Sequence, residues 1–284
     1  MLPIRTSGFD LGTDRRNLSD DRRRFPPVLI ATWNVNSLKA RMPRVTEWLA
    51  EVGPDVLMMQ ETKMSDAQFP ALEFGALGYE TVHYGLNQWN GVAVLSKVGI
   101  DDVVYGFDDG REPDVDARIL WCTTGGVRVV TVYVPNGREV DHDHYHYKLA
   151  WLGRLRDHLD AHHSTDEPLV IGGDWNIAPT DSDVWDPAAF EGSTHVTPPE
   201  RNALDHVKEW GLVDTLRERY PEPGIYSYWD YRNGDFHKRR GMRIDYLLSS
   251  PALAATNRAD LIDRNARKGS KPSDHAPVLG LYEV

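Results

Sequence analysis

Cysteine is nearly absent from the 284 residues: Cys122 stands alone. One thiol closes no intramolecular disulfide, and cysteine-based zinc sites need several. A disulfide-stapled scaffold is therefore excluded, and a reducing, cytoplasmic compartment is expected. Long apolar runs are missing too. No stretch approaches the roughly 20 apolar residues that span a bilayer, and MLPIRTSGFD lacks the apolar core of a secretory leader. No membrane partner is expected. Positive charge is also in short supply. The chain carries 32 Lys and Arg against 43 Asp and Glu, a formal net charge of −11. Taken alone, that argues against a phosphate-rich partner. Carboxylates gathered around a divalent cation would reverse the sign locally. The cations present are also clustered, as Lys238, Arg239, Arg240 and Arg243, as Lys39, Arg41 and Arg44, and as Arg267, Lys268 and Lys271.

Apolar residues make up 40% of the chain and nine are Trp, enough for a sizeable packed core. Residues 1–27 form the exception. LGTDRRNLSDDRRRFPP is charged and apolar-poor, so it buries too little to offset ordering entropy. A flexible extension is expected there, with Arg22, Arg23 and Arg24 solvated, followed by one domain over residues 28–284.

Within that domain, β-branched and apolar runs predict strands at 28–35, 54–61, 79–84, 91–97, 117–124, 127–134, 168–176, 225–231, 242–250 and 276–284. Helical spacing predicts helices over 40–52 (Val45, Trp48, Leu49, Val52), 145–162 (Leu149, Leu152, Leu155, Leu159) and 200–211. Strands in adjacent runs with few helices between them argue against a doubly wound sheet. They favour an α/β fold with two packed, mixed β-sheets and helices outside.

Polar residues of interest fall at strand ends. Asn34 and Asn36 end the first strand, Gln60 and Glu61 the second, and Asp174 and Asn176 follow PLVIGG. Asp245 lies within MRIDYLL, and Asp274 and His275 precede the last strand. Carboxylates flanked by Val, Ile and Leu are costly to bury unless paired, hydrogen-bonded or metal-bound. Several strands delivering them to one rim would make an oxygen-rich site suited to Mg²⁺, with Mn²⁺ as substitute. Neither a Cys set nor a paired-His zinc motif is present. His142, His144 and His146 alternate at the start of a helix, where i, i+2 side chains do not converge. A solvated helix start is expected there.

TWNVNSLKAR, PDVLMMQETK, NGVAVLSK, VYVPNGRE, GGDWNIAPTD, WGLVDT, YSYWDYR, GMRIDYLL and KPSDHAPV occur in this order from Ile30 to Val278. The ordered set resembles the exonuclease III family of apurinic/apyrimidinic endonucleases, within the endonuclease/exonuclease/phosphatase superfamily, and most strongly its bacterial branch. The resemblance implies a four-layered α/β sandwich and a metal-dependent phosphodiesterase. Its expected partner is double-stranded DNA, incised 5′ to abasic sites or processed at blocked 3′ ends by a monomeric repair enzyme.

By motif, Glu61 would be the principal metal ligand, with Asn34 and Asn36 assisting and Asp174, Asn176, Asp245, Asp274 and His275 completing the set. Asp174 would orient or deprotonate the attacking water. Asn176, on the same side if the strand continues, would donate to a phosphate oxygen. His275 would contact another oxygen, with Asp274 fixing its orientation. Tyr133 would bring a hydroxyl to the phosphate, and Asp245 would support Asn176 or a second metal position. Tyr228, Trp229, Met242 and Ile244 match the family's wall around a flipped-out abasic sugar, though Trp229 is equally suited to core packing. Asn136 and Arg138 would touch the DNA backbone or minor groove. Ser37 departs from the pattern, standing where many members have Gly, and Trp175 occupies a variable position. The same chemistry on phospholipid, inositol phosphate or RNA, or a binding module without catalysis, are the competing readings.

Overall fold

The computed structural model describes residues 27–284. The expected extension, with Arg22, Arg23 and Arg24, lies outside the described residues but for Pro27. In chain order the elements are β1 (Val28–Asn34), α1 (Leu38–Val52), β2 (Val56–Gln60), α2 (Ala71–Gly75), β3 (Glu80–Tyr84), β4 (Val92–Ser96), β5 (Asp101–Tyr105), β6 (Ile119–Thr124), β7 (Val127–Tyr133), α3 (Asp143–His162) and β8 (Leu169–Asp174). There follow α4 (Pro198–Lys208), β9 (Val213–Asp214), α5 (Thr215–Arg219), α6 (Asp235–Lys238), β10 (Asp245–Ser249), α7 (Pro251–Ala254), β11 (Asn257–Ile262) and β12 (Val278–Tyr282).

Two six-stranded sheets result, in the orders β11-β12-β1-β2-β4-β3 and β5-β6-β7-β8-β10-β9. Each is mixed. β1–β2 and β7–β8 are parallel, and the remaining pairs are antiparallel. A parallel pair needs a long crossover, supplied by α1 in the first sheet and by α3 in the second.

Period-two alternation sorts the strand residues into three cores. Val28 and Ile30 of β1, Val56 and Met58 of β2, Leu120 and Cys122 of β6, and Val127 and Val129 of β7 fill the space between the sheets. Ala31 and Trp33 of β1 and Leu57 and Met59 of β2 face outward onto Val45, Trp48 and Leu49 of α1. Trp121, Val130, Val132 and Ile171 face the other way, onto Leu152, Leu155 and Leu159 of α3 and Leu204 and Val207 of α4. Helix, sheet, sheet, helix is the four-layered α/β sandwich expected. The sheets touch closely at Gly172, where an added Cβ would lie 2.3 Å from Met58 Cε and 2.7 Å from Leu247 Cδ2. Among the described residues, no helix is long and apolar enough to cross a membrane.

Several expectations are corrected. Residues 225–231 form no strand. Ser227 and Tyr228 donate their N–H groups to Met242 O, Trp229 N–H goes to Asp274 O, and Ser227 O accepts from Ala276 N–H. The segment's bonds are divided between two partners, so only isolated bridges of Tyr228 to Met242 and to His275 remain. β5 and β11 were not anticipated. Both are edge strands carrying Asp or Arg, and edge strands are often blunted by charge. On α3, Lys148 is buried while Leu149 is only half-buried. In the cluster 238–243, Arg243 is not a surface cation: it is buried and bonds Asp183 and Asp214.

Candidate active site

The parallel strands β1, β2, β7 and β8 end together, with Asn34 opposite Gln60 and Tyr133 opposite Asp174. Asp245 of antiparallel β10 also lies opposite Asp174. Ligand sites in open α/β sheets lie beyond such carboxyl ends. The chain leaves these ends through left-handed backbone. Asn36 (φ 43°), Ser37 (φ 81°), Glu61 (φ 53°) and Asn176 (φ 52°) all lie there, a cost that concentrates at functional sites. β8 therefore stops at Asp174. Asn176 reaches the rim through a turn that Asn tolerates, and not by continuing the strand as expected.

Asn34 is the hub. Its Nδ2 donates to Glu61 Oε1 and to Asp174 Oδ2, each at 2.8 Å. Its Oδ1 accepts from Asn36 N–H at 2.9 Å. Lys63 Nζ lies 2.7 Å from Glu61 Oε2 and donates to Asn36 Oδ1 at 2.7 Å. Burial alone would raise the Glu61 carboxyl, but Lys63 and the Asn34 hydrogen bond hold it below its usual range. Arg118 lies over the Tyr133 ring at 4.7 Å. Burial, then the Glu61 charge, keeps its phenol protonated.

His275 is held differently from the sequence-based expectation. Its Nδ1 lies 2.8 Å from Asp245 Oδ2 and 3.0 Å from Oδ1, and Asp245 in turn accepts from Ser227 Oγ at 2.7 Å. Asp274 Oδ1 instead accepts from Asn36 Nδ2 at 2.9 Å. Orienting His275 thus falls to Asp245 and not to Asp274. The corner is fixed by Ser273 Oγ, which donates to Asn34 O and accepts from His275 N–H. His275 Nε2 stands 3.9 Å from Asp174 Oδ2. Burial opposes its charge, but Asp245 and then Asp174 hold the imidazolium up to about 10. Asp174 is raised by burial; His275 pulls it back, Asp245 and Glu61 push it up, and it settles at about 7.

Asn176 is oriented by its neighbours. Its backbone N–H donates to Asp174 Oδ1 (2.9 Å), its Oδ1 accepts from Asn136 Nδ2 (3.1 Å), and its Nδ2 donates to Val134 O (2.9 Å). Asn136 is thus a partner of Asn176. Lys148 and Glu200, unnoticed in the sequence, lie buried beneath this pair. The available signal was a lysine in register with Tyr145, Leu152 and Leu155 on the apolar face of α3.

Of the residues expected at a metal, Glu61, Asp174 and His275 bring ligand atoms within 4.8 Å of one another, the one such cluster among the described residues. Asn34, Asn176, Asp245 and Asp274 flank it. Two carboxylates held close, one kept partly protonated by burial, are the donors a hard cation would relieve. His275 Nδ1 is engaged by Asp245, which leaves Nε2 as the ring atom that faces Asp174 and the cluster. At the alternating histidines, His142 caps α3 by accepting from His144 N–H, and His144 Nδ1 accepts from Gly137 N–H.

The expected sugar-pocket residues divide. Tyr228 is half-buried, with its ring 4.9 Å from that of His275. Met242 and Ile244 pack with Ala178 and Val184. Trp229 is 1% exposed and packs edge-on against Phe236, so it serves the core and not a pocket wall.

Residues 31–275 match the Endonuclease/Exonuclease/phosphatase family model, and the chain belongs to that family. It is a hydrolytic nuclease. Exodeoxyribonuclease III of Haemophilus influenzae is 31% identical over 89% of this chain and 98% of its own length. Among solved structures, an AP endonuclease from Archaeoglobus fulgidus superposes with a TM-score of 0.88 at 37% identity, covering 90% of this chain and all of that one. The 3′ phosphatase NExo from Neisseria, bound to a product DNA hairpin, does so with a TM-score of 0.86 at 36% identity, with the same coverage.

Proposed function

We propose that this chain hydrolyses phosphodiesters of double-stranded DNA, incising 5′ to abasic sites and trimming blocked 3′ ends in base excision repair. One observation carries the reading: Asn34, Glu61, Asp174, Asn176, Asp245 and His275 converge at the ends of both sheets. The names of the similar proteins, one of them holding a DNA hairpin, supply the substrate class. Exposed Lys39, Lys238, Arg239 and Arg240 offer phosphate contacts despite the net negative charge.

Glu61 and Asp174, spaced by Asn34, would hold Mg²⁺, or Mn²⁺ in its place. Such a cation supplies positive charge to the scissile phosphate and the departing oxygen. Asp174, ionised once the cation is bound, receives the proton of the attacking water. His275, cationic through Asp245, donates from Nε2 to a non-bridging oxygen. Asn176 has one Nδ2 hydrogen committed to Val134 O, which leaves the other for the transition state. Tyr133 adds a protonated hydroxyl, and Tyr228 and Met242 border the sugar. One chain carries the full set, which supports a monomer. The lone buried Cys122 and the absence of a membrane-crossing helix among the described residues support a cytoplasmic location.

The test is a rate comparison with Mg²⁺ on abasic, 3′-phosphate and undamaged duplexes. Damaged ends and abasic sites are expected to turn over faster. No incision by the folded, metal-loaded protein, or faster turnover of RNA, a phospholipid or an inositol phosphate, refutes the reading.

A further inference from the structure

Lys148 on α3 and Glu200 on α4 form an ion pair with both side chains 0% exposed and Nζ 2.5 Å from Oε1. Taking two charges out of water is costly, and a well-packed apolar pair of the same volume is often as stable or more so. The apolar surroundings of α3 do not call for a cation. What Lys148 provides is a set of donors. Its Nζ donates to Asn176 O at 2.7 Å and to Asn136 O at 3.2 Å, as well as to Glu200. Asn176 sits in left-handed backbone just past the end of β8, where no strand partner is available to its carbonyl. Glu200 completes the tie. Its Oε1 accepts from Thr194 Oγ1 and His195 N–H, and its Oε2 accepts from Thr197 N–H and Thr197 Oγ1. Three segments meet on one buried pair: the loops after β7 and after β8, and the turn into α4.

We propose that Lys148 and Glu200 are positioning residues for phosphodiester hydrolysis, fixing the backbones of Asn136 and Asn176 so that the Asn176 amide meets the phosphate in the transition state. Lys148 is sealed from solvent and never touches DNA; it acts through the two asparagines. The proposal rests on the role given to Asn176 above. A displacement of about 1 Å at a catalytic group can cost on the order of a hundredfold in rate. Because Asn176 serves the transition state, the loss falls on kcat and leaves KM nearly unchanged.

Lys148→Met alone strands a buried carboxylate and is expected to lower the melting temperature. The deciding variant is therefore the double Lys148→Met/Glu200→Gln, which leaves no charge unpaired. Full-length protein is assayed with Mg²⁺ on a 3′-phosphate duplex, well below each variant's melting temperature. The double variant is expected to recover part of the melting temperature lost in Lys148→Met, because no buried charge stands alone, while the hydrogen bonds it still lacks keep it below the wild type. Its kcat is expected to stay at least tenfold down, with KM within threefold. A double variant within twofold of wild-type kcat overturns the proposal, as does a kcat that falls and recovers in step with the melting temperature. Asn176→Ala runs alongside. Full activity there refutes the reading of the site itself, whereas loss at Asn176 with none in the double variant refutes the positioning role alone.

Discussion

Asp245, thirty positions away in sequence, is the residue that grips His275: its Oδ2 lies 2.8 Å from Nδ1, while the adjacent Asp274 bonds Asn36. The carboxylate fixes which ring nitrogen faces the phosphate and keeps the ring charged. A neutral amide at 245 no longer favours the imidazolium, so the ring loses its charge and Nε2–H becomes a weaker donor to the phosphate. Asp245→Asn is therefore expected to lower kcat by roughly a hundredfold, and Asp274→Asn by much less. Steady-state rates on one DNA substrate make the comparison. A larger loss at Asp274 than at Asp245 contradicts the assignment.

Metal dependence follows from Glu61 and Asp174. Removing divalent ions with EDTA is expected to abolish hydrolysis, with recovery on adding Mg²⁺ or Mn²⁺. Burial and neighbouring carboxylates hold Asp174 up to about 7 in the metal-free protein. Below that pH its proton competes with the cation, because a ligating carboxylate must be ionised. The Mg²⁺ concentration for half-maximal rate is therefore expected to rise as pH falls from 8 to 6, measured as Mg²⁺ titrations at fixed pH. A flat or opposite trend removes Asp174 from the metal site.

Much of this site was legible because its residues sit at the ends of strongly apolar strands. Ile30 and Ala31, like Val56 to Met59, alternate so cleanly between two cores that the positions of Asn34 and Glu61 follow from them. Pairings between distant loops were not legible. Adjacency in sequence pointed to Asp274 for His275, but the ring turns across the rim to Asp245 on the other sheet. Lys148 escaped notice because a leucine beside it suited the same helical face, and only the loop carbonyls above it distinguish the two. The segment around Tyr228 carries strand-forming residues, yet tertiary partners divided between Met242 and Asp274–Ala276 overrode that propensity.

Ser37 stores strain that glycine would release. It precedes α1 at φ 81°, ψ 100° and makes no side-chain capping bond. Its backbone N–H donates to Glu61 O at 2.7 Å, which holds it in place. A residue with a Cβ in that region costs on the order of 1–3 kcal/mol. Glycine's greater freedom in the unfolded chain takes back only about 0.4–1 kcal/mol. Ser37→Gly is expected to stabilise the protein by about 1 kcal/mol, read as a higher urea midpoint with unchanged slope. A lower midpoint shows that the side chain contributes more than it strains.

Acid sensitivity should trace in part to His158, which is not among the active-site residues. It is buried on α3 against Trp121, with ring centroids 4.4 Å apart, and beside Phe107 and His162. Among the described residues, its Nδ1 has no hydrogen-bond partner. Burial, followed by repulsion from His162 and His163, lowers it from 6.5 to about 4. The charged form is therefore disfavoured in the native state. Between pH 6.5 and about 4 the unfolded chain binds the proton and the folded chain does not. Stability then falls as pH drops through that window and levels off below it. His158→Phe keeps a planar ring and removes the titration. On going from pH 7 to pH 4.5, the melting temperature of the variant is expected to fall by roughly 3 °C less, or better, than that of the wild type. Parallel declines in the two proteins would mean that His158 is protonated in the folded state and that acid acts elsewhere.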